Sequence, residues 1–349
     1  MILPQSILKT DHKPADTTKE LTKVMVSIML PMTIGFTVFL SGMKMMELAL
    51  HRLAGPYLSN ILHRSTRTPL HGLVAGALTT AFLQSSTAVT VITIGLVNTG
   101  LLTFPRTLGI VLGTNIGTCI TTELIGLNLH KLSLPLLELS LAVWLLTVIM
   151  IEYGLWAPKR IRRFFHPVRF IAVVCGGFAL LLTGMSMMQA SAPHLESSGL
   201  FEWFMNRPGN TLLWGIAAGT VLTAFIHSSA AVIAMIMGFV THGAIPVELG
   251  ISIVLGANVG TCATALLASL GGSASGQLVA WTHAALNLGG ALLFFPFIGE
   301  LQSVSAALSA HPAGQIAHSQ TIFNIASSLL ALPLCYLPVF RRRTDQLPR

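Results

Sequence analysis

The stretch Thr80-Ala81-Phe82-Leu83-Gln84-Ser85-Ser86-Thr87-Ala88-Val89 returns 143 residues later as Thr223-Ala224-Phe225-Ile226-His227-Ser228-Ser229-Ala230-Ala231-Val232. In each copy a short polar run, Gln-Ser-Ser or His-Ser-Ser, interrupts an apolar segment. At the same offset the alignment runs without a gap from Gly72–Leu124 to Gly215–Leu267, with 23 identities in 53 positions. Self-similarity over this length identifies an internal duplication. A second polar interruption is shared as well: Gly113-Thr114-Asn115-Ile116-Gly117-Thr118-Cys119 matches Gly256-Ala257-Asn258-Val259-Gly260-Thr261-Cys262.

Upstream, Leu40-Ser41-Gly42-Met43-Lys44-Met45-Met46 resembles Leu182-Thr183-Gly184-Met185-Ser186-Met187-Met188, so each repeat includes the preceding helix. The chain therefore divides into a polar amino-terminal tail (1–23), a first repeat (24–153), a basic linker (154–168), a second repeat (169–298), and a further helix with a basic tail (299–349).

Composition supplies the solvent. Of 349 residues, 53% are hydrophobic and 9% charged, against about a quarter charged in a soluble domain. Between Pro208 and Phe340 the only acidic or basic residues other than histidine are Glu248 and Glu300. Stretches of about twenty apolar residues cross a bilayer. The net charge of +8 sits in short gaps and at the ends, the pattern of a membrane orientation signal rather than of nucleic-acid binding. Cys119, Cys175, Cys262 and Cys335 lie in apolar segments without metal-ligand spacing and read as core residues. The tail at 1–23 does not read as a removable signal peptide.

The apolar run 69–99 is split by Gln-Ser-Ser into arms of about fifteen residues, each about 22 Å long as helix. That length suits a re-entrant hairpin whose tip lines a wet cavity. The first half then reads as a spanning helix (24–48), the hairpin (69–99), a helix broken at GTNIGT (105–128) and another spanning helix (133–153). Three crossings per half place the second half upside down. The expected fold is an all-α integral membrane protein: two inverted-topology repeats, each with a re-entrant helical hairpin and a broken transmembrane helix, plus one extra C-terminal transmembrane helix at 319–340. Seven crossings follow. The positive-inside rule makes the face bearing Arg52, Arg64, Arg67, the 159–169 cluster and Arg341–Arg343 cytoplasmic.

Inverted repeats bring matched polar tips together near the midplane. Gln84, Ser85, Ser86, Thr87, His227, Ser228 and Ser229, with Asn115 and Asn258, are the candidate substrate ligands. Thr118, Thr121, Thr261, Thr264 and Glu123 are the candidate cation ligands. Hydroxyls, backbone N–H groups and half-helix N-termini hold a small oxyanion without a buried arginine, and carbonyls freed at a broken helix hold a monovalent cation. Gly113, Gly117, Gly256 and Gly260 either break these helices or let them approach closely. Asn287 and Asn324 read as helix-packing amides and are left outside the site. Asp11, Asp16 and Asp345 all lie in tails, and no nucleophile–base pair, HExxH motif or carboxylate pair lies in the apolar segments, so the sequence offers no enzyme site.

Paired Gln-Ser-Ser-type motifs, each followed at one interval by Gly-x-Asn-x-Gly-Thr, resemble the type II sodium/phosphate cotransporter family. The Gly-Met-x-Met-Met helices and Ala317-His318-Ser319-Gln320-Thr321-Ile322-Phe323-Asn324 look like its bacterial members. The resemblance implies sodium-driven phosphate symport across the plasma membrane. It also implies a substrate and cation region at the two serine motifs, with sodium as coupling ion and no organic cofactor. His227 stands where the family's glutamine is usual, and Ala230 where a hydroxyl is common. The alternatives are a carrier of the same architecture for another anion, such as a dicarboxylate, a phosphate exporter, or a channel. The partners expected are phosphate, sodium and lipid, and no nucleic acid; the sequence does not address oligomeric state.

Overall fold

A computed structural model describes residues 25–127, 129–152, 159–191 and 211–337. Residues 1–24, 128, 153–158, 192–210 and 338–349 lie outside the described residues, and with the last of these Arg341–Arg343, on which the expected orientation partly rests. Among the described residues the secondary structure is helical throughout, with no strand.

The helices are α1 (Leu30–Ser65), α2 (Pro69–Leu83), α3 (Ser86–Asn98), α4 (Phe104–Gly126), α5 (Ser133–Glu152) and α6 (Lys159–Gln189). The second half holds α7 (Thr211–Ile226), α8 (Ser229–Thr241), α9 (Val247–Gly260), α10 (Cys262–Ser269), α11 (Ala274–Phe294), α12 (Ile298–Leu308) and α13 (Pro312–Ala331). The 143-residue offset carries α3 onto α8 and α4 onto α9–α10, residue for residue at both ends.

Six segments among the described residues are long and apolar enough to cross a membrane: Val26–Gly55, Phe104–Gly126, His130–Ile151, Phe165–Gln189, Val247–Ser269 and Ala274–Leu308. Large apolar side chains face outward on these spans and on the shorter apolar helices. Leu78 on α2, Phe225 on α7, Leu139 on α5 and Leu292 on α11 are all exposed, an arrangement that suits lipid and not water. The chain is a multi-pass membrane protein.

The halves meet through small residues. α1 and α6 pack lengthwise, and a Cβ at Gly42 would meet the Gly177 carbonyl oxygen, while one at Gly35 would meet that of Gly184. As residue numbers rise along α1 they fall along α6, so two equivalent helices run antiparallel, the relation an inverted duplication requires. Within each half the tight contact is parallel. A Cβ at Gly113 would run into the Leu73 carbonyl of α2, and one at Gly256 into the Ile216 carbonyl of α7.

The two expected breaks fare differently. α4 runs unbroken through Gly113-Thr114-Asn115-Ile116-Gly117. At the matching place α9 gives way to α10 only at Thr261, whose backbone stays right-handed helical (φ −62°, ψ −23°). Gly113, Gly117, Gly256 and Gly260 all lie against the neighbouring helix, so they serve close approach. α1 also outruns its expected end at 48, reaching Ser65.

The carboxy-terminal helix differs too. It starts at Pro312 rather than 319, and is not among the six apolar spans, because Gln315, His318, Gln320 and Asn324 lower its hydropathy. It packs into the interior, along α4 and against α8, α9 and α12. α11 does the equivalent thing in the other half, packing on α10, α9, α3 and α4. Cys119 Sγ on α4 lies 3.9 Å from the Gln320 carbonyl oxygen, and its mate Cys262 lies 3.7 Å from that of His283. So α13 is to α4 what α11 is to α9–α10. The sequence mate of α11, α5, instead leans on α6 with its apolar side chains outward.

Candidate functional site

Both hairpins turn by the same local device. Thr80 begins the last turn of α2, and its carbonyl accepts from the Gln84 N–H at 2.8 Å; Thr223 does the same for His227 at 2.8 Å. Gln84 and His227 then adopt left-handed geometry, with φ of 56° and 61°. They are the only non-glycine residues with positive φ among those described. A left-handed backbone costs a residue with a Cβ roughly 1–2 kcal/mol, and here it is imposed twice, at matched positions. The duplication has kept the same strained turn in both halves.

The next residue reverses the chain. Ser85 is extended and caps α3, its Oγ accepting from the Ala88 N–H at 3.2 Å. Ser228 caps α8 and accepts from the Ala231 N–H at 3.2 Å. Each helix therefore starts at a tip, with first-turn N–H groups that have no partner within the helix.

The two tips share one cavity of about 230 Å³. Gln84, Ser85, Ser86 and Thr87 line it from one side and His227, Ser228, Ser229 and Ala230 from the other. Thr118 and Thr121 of α4 and Thr261 between α9 and α10 complete the polar wall, and Met43, Lys44 and Glu47 of α1 close it. The predicted convergence of the matched motifs is thus a feature of the fold.

The halves are not identical within it. The Thr121 hydroxyl donates to Gln84 Oε1 at 2.6 Å, and Gln84 Nε2 donates to the Ala81 carbonyl. The mate Thr264 instead donates to the Thr261 carbonyl at 2.7 Å. Ser228 Oγ meets Met43 Sδ at 3.5 Å.

Four of the candidates lie outside the lining. Asn115 Nδ2 donates to Asn287 Oδ1 at 2.9 Å, which joins α4 to α11. Asn258 is buried and donates to the Val254 carbonyl of its own helix at 2.9 Å. Thr264 bonds as above. Glu123 accepts from the Thr321 hydroxyl at 2.5 Å and contacts His318 Nδ1 at 3.1 Å, which ties α4 to α13.

The sequence missed Lys44 and Glu47. They pair at 2.9 Å, with Glu47 half-buried and Lys44 exposed. The signal was available in the basic residue inside Gly-Met-Lys-Met-Met, which reads on its own as a helix-packing motif. Lys44, paired with Glu47, brings a basic side chain to a cavity whose polar wall is otherwise hydroxyls, one amide and one imidazole.

A cavity of this size, walled by hydroxyls and two helix N-termini, suits a small anion. Known proteins decide the lineage. The family model described as Na+/Pi-cotransporter matches the chain twice, over residues 38–190 and 180–331. The chain belongs to that family. The uncharacterized protein YqeW of Bacillus subtilis is 32% identical over 302 residues, 86% of this chain and 92% of its own length. The putative inorganic phosphate export protein YjbB of Escherichia coli is 25% identical over 293 residues, 84% of this chain and 51% of its own length. This chain thus spans about half of YjbB. The human sodium-dependent phosphate transport protein 2B is 41% identical over 76 residues, 22% of this chain and 11% of its own length. No solved structure matched. Both halves of the family match contain one serine-capped tip, so membership rests on the same duplication that builds the cavity.

Proposed function

We propose that this member of the Na+/Pi-cotransporter family is a secondary carrier that moves inorganic phosphate with sodium across the plasma membrane. The supporting observation is that two serine-capped helices of opposite halves open into one small cavity. Phosphate lies between the tips in this reading. The backbone N–H groups of Ser86, Thr87, Ser229 and Ala230 face its oxygens, together with the hydroxyls of Ser85, Ser86, Thr87, Ser228 and Ser229. Helix N-termini stabilise an anion through oriented N–H groups and the macrodipole, and Lys44 adds attraction from the cavity edge.

Sodium takes oxygens from Thr118, Thr121 and Thr261 beside the anion, which spares the cost of placing an isolated charge in lipid. The halves lie inverted in the membrane, and exchange of their packing opens the tips alternately to each side. Hairpin helices of 15 and 13 residues are about 22 and 20 Å long, short of the roughly 30 Å hydrocarbon core, which favours re-entrant hairpins.

A second reading, export, draws on the similarity to YjbB. The same site serves either direction, because the gradients set the direction of a carrier. Radiolabelled phosphate flux in proteoliposomes, with sodium gradients imposed each way, tests both. Sodium-stimulated uptake supports symport. Phosphate efflux indifferent to sodium favours the exporter, and flux of a dicarboxylate but not of phosphate contradicts both.

A further inference from the structure

We propose that the groove where α1 meets α2 is a binding site for an anionic phospholipid, with the headgroup on Arg64 and Arg67 and an acyl chain along α2. It lies apart from the cavity at the tips and does not depend on what that cavity carries.

The groove has a volume of about 410 Å³. Ile61 and Ser65 of α1 form one wall, and Leu70, Val74 and Leu78 of α2 form the other. The last three recur at every fourth residue, so they make one apolar stripe along the helix. Ile61, Leu70, Val74 and Leu78 are all exposed, while Ala75 and Thr79 are buried and form the floor. A cleft of this form fits an acyl chain.

The end of the groove selects the headgroup. The apolar span of α1 closes at Gly55, and the helix continues for ten residues, about 15 Å, to Ser65. Arg64 and the turn residue Arg67 therefore stand at headgroup level, where α2 begins its return into the apolar layer. Arg64 follows Ile61 by three residues, so both project from one side of α1. Both arginines are exposed, and neither has an acidic partner among the described residues. From Leu48 to Thr122 the chain contains no Asp or Glu. His71 lines the same end and joins the Thr68 hydroxyl through Nδ1 at 2.7 Å, which leaves Nε2 for a ligand. Guanidinium groups hold phosphate oxygens through paired N–H bonds, and basic pockets between helices at a membrane face hold anionic headgroups.

The second half provides an internal contrast. A groove of about 400 Å³ opens there between α7, α9–α10 and α11, with Thr220, Leu266, Trp281 and Leu288 in its lining. It is as large and as apolar, but no Lys or Arg occurs between Pro208 and Phe340. That groove accepts acyl chains without selecting a headgroup. A lipid held in the first groove lies against α2, the helix that ends at the Gln84 tip, and so braces that hairpin from its outer side.

The test is thermal unfolding of the purified chain in neutral detergent, titrated with phosphatidylglycerol or with phosphatidylcholine of identical acyl chains. In wild type, phosphatidylglycerol should raise Tm saturably, with half-saturation at least fivefold below that of phosphatidylcholine. Arg64→Gln/Arg67→Gln should abolish this preference. Val74→Trp, which fills the groove from an exposed position, should abolish it too, whereas Leu288→Trp, which fills the other groove, should retain it. Any rise in Tm with inorganic phosphate should survive the arginine substitutions, which separates the lipid headgroup from phosphate bound at the tips. Equal half-saturation for the two lipids in wild type overturns the proposal. So does a preference that persists in Arg64→Gln/Arg67→Gln or in Val74→Trp, or one lost equally in Leu288→Trp.

Discussion

The Thr121 hydroxyl donates to Gln84 Oε1 at 2.6 Å, which fastens the tip of the first hairpin to the helix packed beside it. The second hairpin lacks the equivalent bond, since Thr264 turns to the carbonyl of Thr261, and its tip instead meets α1 through the Ser228 hydroxyl and Met43 Sδ at 3.5 Å. One tip of the shared cavity is braced by an amide–hydroxyl bond to α4 and the other only by a weak hydroxyl–thioether contact to α1, so the two will not answer alike to substitution.

Thr121→Val keeps shape and removes that bond. A neutral hydrogen bond contributes about 1 kcal/mol net, so the folded protein should survive while the tip loosens. The KM for phosphate should rise severalfold in uptake assays, with surface expression unchanged. Thr264→Val, its mate, should change KM much less; equal effects would show that the brace is unimportant.

Left-handed backbone at Gln84 sets a second expectation. A β-branched side chain tolerates positive φ poorly, so Gln84→Val should lose both the turn and the amide bonds and abolish transport. Gln84→Asn, which suits left-handed geometry, should retain more activity than Gln84→Val. The reverse order in flux measurements would contradict the turn geometry described for the tip.

The packing of α2 on α4 leaves no room for a side chain at Gly113. Gly113→Val should overpack the contact with the Leu73 carbonyl and destabilise by about 1–3 kcal/mol or more, seen as reduced yield of folded protein and a lower Tm. Gly256→Val should behave the same way against Ile216. By contrast, Gly95→Ala, where a Cβ meets nothing within 4 Å, should leave Tm unchanged or slightly raised.

Lys44 stands at the cavity edge and is mostly exposed, so its attraction for an anion is open to salt screening. Lys44→Gln should raise the KM for phosphate at low ionic strength, and the difference from wild type should shrink as an inert salt is added. A KM difference that does not vary with salt would assign Lys44 a packing role.

The duplication, the hairpins and the tips were legible because each polar interruption is brief and lies in an otherwise apolar segment, so Gln-Ser-Ser and His-Ser-Ser stand out and align. The tie between Thr121 and Gln84 was not, because a threonine in an apolar helix ordinarily bonds its own backbone, as Thr264 does. The glycines of GTNIGT carry one signal for two outcomes, helix breaking and close approach. Only the position of the Leu73 carbonyl decides between them. Lys44 and Glu47 read as an ordinary pair three residues apart on a helix. Asn324 read as a packing amide and Gln320 only as part of a family-like motif, since burial without a partner is a property of the assembled seam between α4 and α13. The interior place of α13 was hidden for a related reason: its counterpart in packing is α11, 37 residues earlier, and not the helix that the 143-residue offset of the duplication would give.

The central claim is that both tips form one phosphate site. Equilibrium binding of radiolabelled phosphate to the purified chain in saturating sodium tests it, with wild type, Ser85→Ala, Ser228→Ala and the double variant. A single shared site predicts one phosphate per chain, with both single variants weakened and the double variant showing strong non-additive coupling between the two serines. Two phosphates per chain, or single variants that each keep half the sites at wild-type affinity, would contradict it.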